Sequence, residues 1–175
     1  MDQISQLLLI LVPASLVLFG MYITVQSFIN GQKETTVLIG KNESKKVLLP
    51  LQLQAYERIC LLLERISPQN LLVRLNGKAL NVSDFQQVLI TEIREEFNHN
   101  LSQQVYMSDF SWAQAKNAVE QTIAIINEAA IGLNPESNGI ELSKNILKKI
   151  IESNQTSCET ALFHIKAEAR TEIFQ

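Results

Sequence analysis

Two carboxylates and one imidazole share a face of a predicted helix in the middle of the chain. Glu92, Glu96 and His99 are four and three residues apart, the spacing that places side chains on the same side of a helix. Glu-x-x-His is also the spacing with which di-iron four-helix bundles bind their metal ions. The pattern therefore raises the hypothesis of a metal-dependent enzyme or metal-binding bundle that uses these three residues.

The other half of such a ligand set is missing. A di-iron bundle needs a second Glu-x-x-His and further carboxylates on facing helices, but the other histidine, His164, has Ala161 three residues before it. A solvated acidic face, with His99 near a helix C-terminus where positive charge is favoured, is the interpretation we prefer. We predict no metal-binding residue.

Other catalytic arrangements have less support in the sequence. There is no Gly-x-Ser-x-Gly motif and no glycine-rich phosphate loop, and no histidine is placed beside Cys60 or Cys158. We predict no catalytic residue and no cofactor, and we favour a protein that is not an enzyme. Both thiols are expected to be buried in a reducing compartment.

Two polar clusters in the predicted helical domain each allow two interpretations. Arg58, Arg65 and Arg74 form a possible cationic strip, although the alternating Glu57 and Glu64 favour ion pairs within one helix. A group of amides at a predicted turn is expected to satisfy helix ends in the interior, the alternative being contact with a partner: Asn98, Asn100, Gln103 and Gln104.

These residues follow an apolar N-terminal segment. Leu7 to Val25 are nineteen positions without an ionisable side chain apart from Tyr22. A helix of about 20 residues matches the roughly 30 Å hydrocarbon core of a bilayer. We predict a retained transmembrane anchor that contacts the lipid bilayer through residues 7–25, rather than a cleaved signal or a buried core helix, because the N-terminus has no basic residue and the segment has no polar face.

Basic residues follow the apolar segment and none precedes it. Lys33, Lys41, Lys45 and Lys46 lie within the first part of the chain after the segment. The positive-inside rule then predicts the N-terminus outside and the C-terminal part in the cytoplasm. We divide the chain into a transmembrane anchor (1–29), a juxtamembrane stalk (30–46) and a helical cytoplasmic domain (47–175).

Charge excludes one class of partner for the predicted domain. Residues 47–175 carry 11 of the 15 basic side chains and 15 of the 18 acidic ones, so the domain is mildly acidic. Nucleic-acid binding needs a clustered basic face, and we predict no such binding.

Apolar residues recur at helical spacing throughout the predicted domain. The fold class is therefore all-α, with the transmembrane helix followed by a five- or six-helix bundle. We predict a helix that begins at Pro50, a short helix over Ser67–Leu75, and a third opened by Ser83 and Asp84. A hairpin about Asn76-Gly77 is the alternative for the short segment.

Three longer helices complete the predicted bundle. The first runs from Ser108 to about Leu133 and is followed by Ile140–Glu152 and Ser157–Ile173. Its apolar seam alternates large and small residues, which permits close approach of a neighbouring helix: Trp112, Ala115, Val119, Thr122, Ile126, Ala129 and Leu133.

A long motif pattern resembles a group of small, uncharacterised bacterial membrane proteins. The motifs are Gln54-Ala55-Tyr56-Glu57-Arg58, Leu63-Glu64-Arg65-Ile66, Glu96-Phe97-x-His99-Asn100, Gln103-Gln104-x-Tyr106 and Trp112. The last two helices match loosely, and Gln52 stands where the group is expected to have arginine. The resemblance implies a single N-terminal span in the bacterial inner membrane, a helical cytoplasmic domain and no known activity.

The sequence thus predicts a membrane-anchored helical protein of unknown biochemical activity. We expect a protein–protein interaction or scaffold module that contacts a protein partner or associates with itself. The alternative is the metal-dependent enzyme or metal-binding bundle with Glu92, Glu96 and His99.

Overall fold

Helices make up most of the described part of the chain. The computed structural model describes residues 2–153 and 156–174, and the side chains of residues 11, 13–29, 46–153 and 156–172. The α-helices are α1 (Asp2–Ile66), α2 (Pro68–Leu75), α3 (Val82–His99), α4 (Asp109–Ala130), α5 (Gly139–Ser153) and α6 (Ser157–Phe174), with 3-10 helices at Gly77–Ala79 and Leu101–Tyr106. The all-α prediction is confirmed.

The chain divides into two compact units, residues 1–48 and 49–175. In the first unit, the hydroxyl of Thr24 donates to the carbonyl of Gly20 at 2.8 Å, as polar side chains of apolar helices commonly do. Across the described residues, the structure contains no helix with the length and apolarity needed to span a membrane. The side chains of residues 7–10 and 12 in the predicted span lie outside the described set. The predicted boundaries at 29 and 46 stay predictions.

The predicted start of a helix at Pro50 is wrong, because α1 continues through this residue. A proline inside a helix removes one hydrogen bond and costs about 3 kcal/mol. The helical turns that follow Pro50 recover this cost by burying Ala55, Ile59 and Leu62 completely. A proline at this position therefore marks a weak point in α1 and not its beginning.

The core of the second unit is formed by the apolar faces of α1–α6. Phe85, Leu89 and Ile93 of α3 are fully buried, as their spacing predicts. The α4 seam is also internal: Ala115, Val119, Thr122, Ile126 and Ala129 are buried, with Trp112 and Leu133 packed at its edges. The helix ends at Ala130 and not at Leu133.

The short segment after α1 is helical, as we prefer, and the hairpin alternative is wrong. Ser67 precedes α2, but its hydroxyl donates to the Glu64 carbonyl and does not cap the helix. Asn76 has φ 39°, and Gly77 begins a 3-10 helix. The Asn-Gly pair therefore reverses the chain within helical structure.

Side-chain caps begin the later helices. Asn81, not Ser83, caps α3, because its Oδ1 accepts the N–H of Asp84 at 2.8 Å. Thr156 and Glu159 each accept the other's backbone N–H at the start of α6, which is a capping box. The predicted starts of α3 and α6 therefore lie within one or two residues of the observed ones.

The loop before α5 satisfies the first turn of α3. The N–H groups of Val82 and Ser83 donate to the carbonyls of Ser137 (2.9 Å) and Pro135 (3.1 Å). The Gly139 N–H donates to the Leu80 carbonyl at 2.9 Å. Because the first N–H groups of a helix have no partner inside it, this loop supplies the carbonyls that α3 lacks.

This junction requires a residue without a side chain at position 139. A Cβ on Gly139 would lie 2.8 Å from the Gly77 carbonyl oxygen and 3.1 Å from Cβ of Phe85. We expect Gly139→Ala to lower the free energy of unfolding by about 1–3 kcal/mol, because a backbone oxygen cannot rotate away. Urea denaturation followed by circular dichroism measures the change.

Gly132→Asn is the matched control for this glycine. Gly132 has φ +84° with nothing within 4 Å of an added Cβ. Asparagine tolerates the left-handed region, so the control should cost less than about 1 kcal/mol. Equal stabilities for Gly139→Ala and the parent protein would show that the junction is not tightly packed.

Candidate functional site

The two carboxylates of the metal hypothesis are each paired with an arginine. Glu92 pairs with Arg74 at 2.7 Å, and Glu96 pairs with Arg65 at 2.9 Å. Among the described residues, no group of three or more metal-ligating side chains comes together. Because each carboxylate already has a cationic partner, the structure does not favour a metal site at Glu92, Glu96 and His99.

Both ion pairs run between helices, so the prediction of pairs within one helix is wrong for Arg65 and Arg74. Arg65 links α1 to α3, and Arg74 links α2 to α3. The side chains of Arg65 and Arg74 are 54% and 35% exposed. Such solvent-exposed pairs contribute at most about 1 kcal/mol each, so they orient the helices more than they stabilise them.

A shallow cleft brings Arg58, Arg65 and His99 to one place. It has a volume of about 380 Å³ and lies between α1 and the C-terminal end of α3. Its remaining lining residues are Gln54, Glu57, Leu61, Glu96 and Asn100. Two arginines face two glutamates, so the charge of the cleft is balanced and gives no small ion a clear preference.

Trp112 contributes to packing and not to this lining. Its ring stacks on Phe97 with centroids 5.4 Å apart and an interplanar angle of 19°. The offset stack joins α3 to α4 at the edge of the core. We therefore assign Trp112 to the interface between these two helices.

The amide-rich turn divides between interior and surface. Asn100 is only 5% exposed, and its Nδ2 donates to the Glu96 carbonyl at 2.8 Å. This bond satisfies a carbonyl in the last turn of α3, as we predict for the cluster. Asn98 and Gln104 are exposed, and Gln103 donates to the neighbouring Ser102 hydroxyl at 3.3 Å.

The two cysteines are thiols with raised pKa values. Burial is the main cause for both Cys60 and Cys158. Cys158 is buried with its Sγ 3.5 Å from the Thr122 hydroxyl, and Cys60 is half-buried. A raised pKa keeps the thiolate population low at neutral pH, which makes both residues poor nucleophiles.

The densest polar cluster centres on Glu168, which the sequence did not single out. Its Oε1 accepts the Tyr56 hydroxyl at 2.7 Å and the Ser108 N–H at 3.0 Å. Its Oε2 accepts the hydroxyls of Ser108 and Ser111. One carboxylate of α6 therefore joins α1 to the first turn of α4, and we call these four residues the Glu168 cluster.

Hydrogen bonding decides the charge state of this cluster. Burial pushes the pKa of Glu168 upward, but the bonds donated by Ser108, Ser111 and Tyr56 outweigh it, so the pKa lies below its usual range. Burial, reinforced by the bond to Glu168, raises the pKa of Tyr56. Glu168 is thus a stable anion and a weak base, suited to holding helices together rather than to proton transfer.

Nothing local in the sequence points to Glu168. Tyr56 and Glu168 are 112 positions apart, and Ser108 and Glu168 are 60 apart. Ser108 is recognisable as the residue that caps α4, and its hydroxyl does accept the Ser111 N–H at 3.1 Å. A capping serine gives no signal that its own proton is donated to a distant carboxylate.

Replacing this carboxylate tests the cluster. Hydrogen bonds to a charged acceptor contribute about 1.5–3 kcal/mol, and the partial exposure of this carboxylate to solvent reduces that contribution, so Glu168→Gln should lower the free energy of unfolding by about 1 kcal/mol at pH 7. A depressed pKa stabilises the fold above the usual carboxyl value of 4.5 and ceases to do so as the pH falls through the folded value. The difference in the free energy of unfolding between Glu168→Gln and the parent protein should therefore become smaller below pH 4.5.

Glu172→Gln is the control, because Glu172 is an exposed residue one turn further along α6. It should change the free energy of unfolding by less than about 0.5 kcal/mol. Chemical denaturation at a series of pH values measures both variants. If the free energies of unfolding of Glu168→Gln and the parent protein differ by the same amount at pH 7 and pH 3, the assigned charge state is contradicted.

Comparison with known proteins gives a family for the chain. Residues 2–172 match the profile of DUF7935, described as a family of unknown function. No curated protein and no solved structure matches the sequence significantly. Because the match extends over nearly the whole chain, this protein belongs to the DUF7935 family of unknown function.

Proposed function

We propose that this chain is a single-pass membrane protein whose helical part, residues 49–175, works by protein–protein contact. One observation carries the membrane part of the proposal. Leu16, Val17, Leu18 and Phe19 are consecutive and each 62–69% exposed, so apolar side chains cover every side of this helical turn. Large apolar surfaces of this kind are stable in lipid and unfavourable in water.

The sequence around this turn supports the same reading. No Asp, Glu, Lys or Arg occurs between Asp2 and Lys33. The nineteen residues from Leu7 to Val25 include twelve Leu, Ile, Val or Phe. At about −0.5 kcal/mol each, these residues favour insertion by roughly 6 kcal/mol before the smaller polar penalties.

Arginine substitutions test the anchor. A central arginine costs about 3 kcal/mol, so Leu16→Arg alone should leave most of the protein in the membrane fraction. Leu16→Arg with Phe19→Arg should cancel the roughly 6 kcal/mol of favourable insertion and release most of it. Alkaline carbonate extraction of cell membranes, followed by immunoblotting, measures the retained fraction.

The conservative double variant Leu16→Ile/Phe19→Leu controls for changes in packing and should be retained like the parent. Release of the parent protein by carbonate would overturn the proposed anchor. Detergent extraction distinguishes an aggregate, which stays in the pellet, from an inserted protein, which dissolves.

We extend the proposal to location and orientation. The family resemblance implies the bacterial inner membrane, and the four lysines after the segment favour a cytoplasmic C-terminal part. Val73 is 83% exposed on α2, so a cysteine placed there should be modified by a membrane-impermeant thiol reagent only in opened cells. Modification in intact cells would reverse the orientation.

The contact role of residues 49–175 is supported by how their polar groups are used. Glu92, Glu96 and Glu168 are each held by partners from other helices, so the fold uses these carboxylates to join its own elements. The exposed face of α1 carries both acidic and basic side chains, and we propose that this face contacts a partner. Light scattering of the full chain in mild detergent should show a complex heavier than the monomer, and a pure monomer would contradict this role.

A further inference from the structure

One face of α1 in the second unit is exposed along its whole length. Between Gln54 and Arg65, the side chains at every third or fourth position reach solvent: Gln54, Glu57, Arg58, Leu61, Glu64 and Arg65. The intervening residues, such as Ile59, Leu62 and Leu63, are fully buried. We call these six exposed residues the α1 face. At its centre Leu61 is 54% exposed among charged neighbours.

The charges of the α1 face are separated into two edges. An α-helix turns about 100° per residue, so Glu57 and Glu64 lie about 40° and 60° to one side of Leu61. By the same rotation, Arg65 and Arg58 lie about 40° and 60° to the other side. An apolar centre therefore has an acidic edge on one side and a basic edge on the other.

We propose that a second copy of this chain docks on the α1 face, with the two α1 helices parallel about a twofold axis. This symmetry turns the acidic edge of one copy toward the basic edge of the other. Glu57 then meets Arg58 of the partner subunit, Glu64 meets Arg65 of the partner subunit, and the two Leu61 side chains meet on the axis. Each contact occurs twice, as in any twofold interface.

The opposite orientation is unfavourable. An antiparallel pair related by a twofold axis across the helices places acidic edge against acidic edge and basic against basic. Like charges on two facing edges repel each other, and no other charged group in the α1 face compensates for this repulsion. The distribution of charge thus selects the parallel pair over the antiparallel one.

The ion pairs within one chain leave this surface available. Among the described residues, Glu57, Arg58 and Glu64 form no ion pair, whereas Arg65 pairs with Glu96. Arg65 has five N–H donors and can hold Glu96 while it accepts a second carboxylate. The basic edge also borders the cleft that His99 lines, so the arginines there are reached from solvent.

This inference rests on the proposed contact role and specifies its partner. In a parallel pair, both copies of residue 49 lie at the same end, as two chains anchored in one bilayer require. Exposed ion pairs are individually weak. Confinement of both copies in a membrane raises their effective concentration, so a modest surface is sufficient.

A charge exchange tests the pair. Arg58→Glu brings Glu57 against a glutamate, and Glu57→Arg brings Arg58 against an arginine, so each full-length variant alone should associate about tenfold more weakly in detergent. A mixture of the two variants restores both pairs, and the double variant E57R/R58E restores them within one sequence. Sedimentation velocity of the full chain should therefore show dimers for the mixture and for the double variant.

Cross-linking locates the axis. Leu61→Cys should give a covalent dimer with a short bifunctional thiol reagent, whereas Val73→Cys, on an exposed part of α2, should not. The unsubstituted protein controls for Cys60 and Cys158. Circular dichroism melting of every variant confirms that the fold is retained.

The outcomes separate this inference from the proposed function. Weak association of the single variants with recovery in the mixture supports the parallel pair. Unchanged association of the single variants, or no recovery in the mixture, overturns it. A monomeric parent protein that is isolated with a different protein also overturns the pair while the contact role stands. Because the measurement is made in detergent, it does not depend on whether the anchor is inserted in cells.

Discussion

One half-buried carboxylate joins three helices of the second unit by accepting hydrogen bonds from four donors. Glu168 accepts the hydroxyl of Tyr56 from α1, the backbone N–H and the hydroxyl of Ser108, and the hydroxyl of Ser111 at the start of α4. The first turn of a helix carries partial positive charge and unpaired N–H groups, so an anion placed there is stabilised by both. The packing of α1, α4 and α6 is compatible with a half-buried charge only because all four donors reach it.

The groups that face a helix decide whether its polar side chains could bind a metal ion or serve only to join helices. The spacing of Glu92, Glu96 and His99 correctly places three side chains on one side of α3, but spacing says nothing about what faces them. Arg74 and Arg65 arrive from α2 and α1 and neutralise the two carboxylates separately. A carboxylate that is bound by an arginine is a poor candidate for a metal ion, because the metal would have to displace the cation.

Sequence patterns predicted most of the bundle, because each helix has an apolar face that repeats every three or four residues. The buried positions of α3 and the seam of α4 follow directly from this period. Local patterns also predict where α4 and α6 begin, at Ser108 and Ser157. Two features that local patterns do not reveal depend on groups that are distant along the chain: carbonyls from the loop before α5 that complete α3, and partners for Glu168 from α1 and the start of α4. Proline is favourable at a helix start, and only the packing of the turns after Pro50 makes α1 continue through this residue.

Helix α1 links the core of the second unit to its proposed contact surface. On one side Ala55, Ile59, Leu62 and Leu63 have no solvent exposure, and their burial fixes the rotation of the helix about its axis. That rotation necessarily turns the positions between them outward, so the placement of the acidic and basic edges is set by the core. Because packing fixes the rotation of α1, its exposed face is acidic along one edge and basic along the other. Two identical faces of this kind bring acidic edge against basic edge only when one copy is rotated by half a turn about an axis parallel to the helices. The geometry that makes the unit stable is therefore also the geometry that makes a second copy its complementary partner.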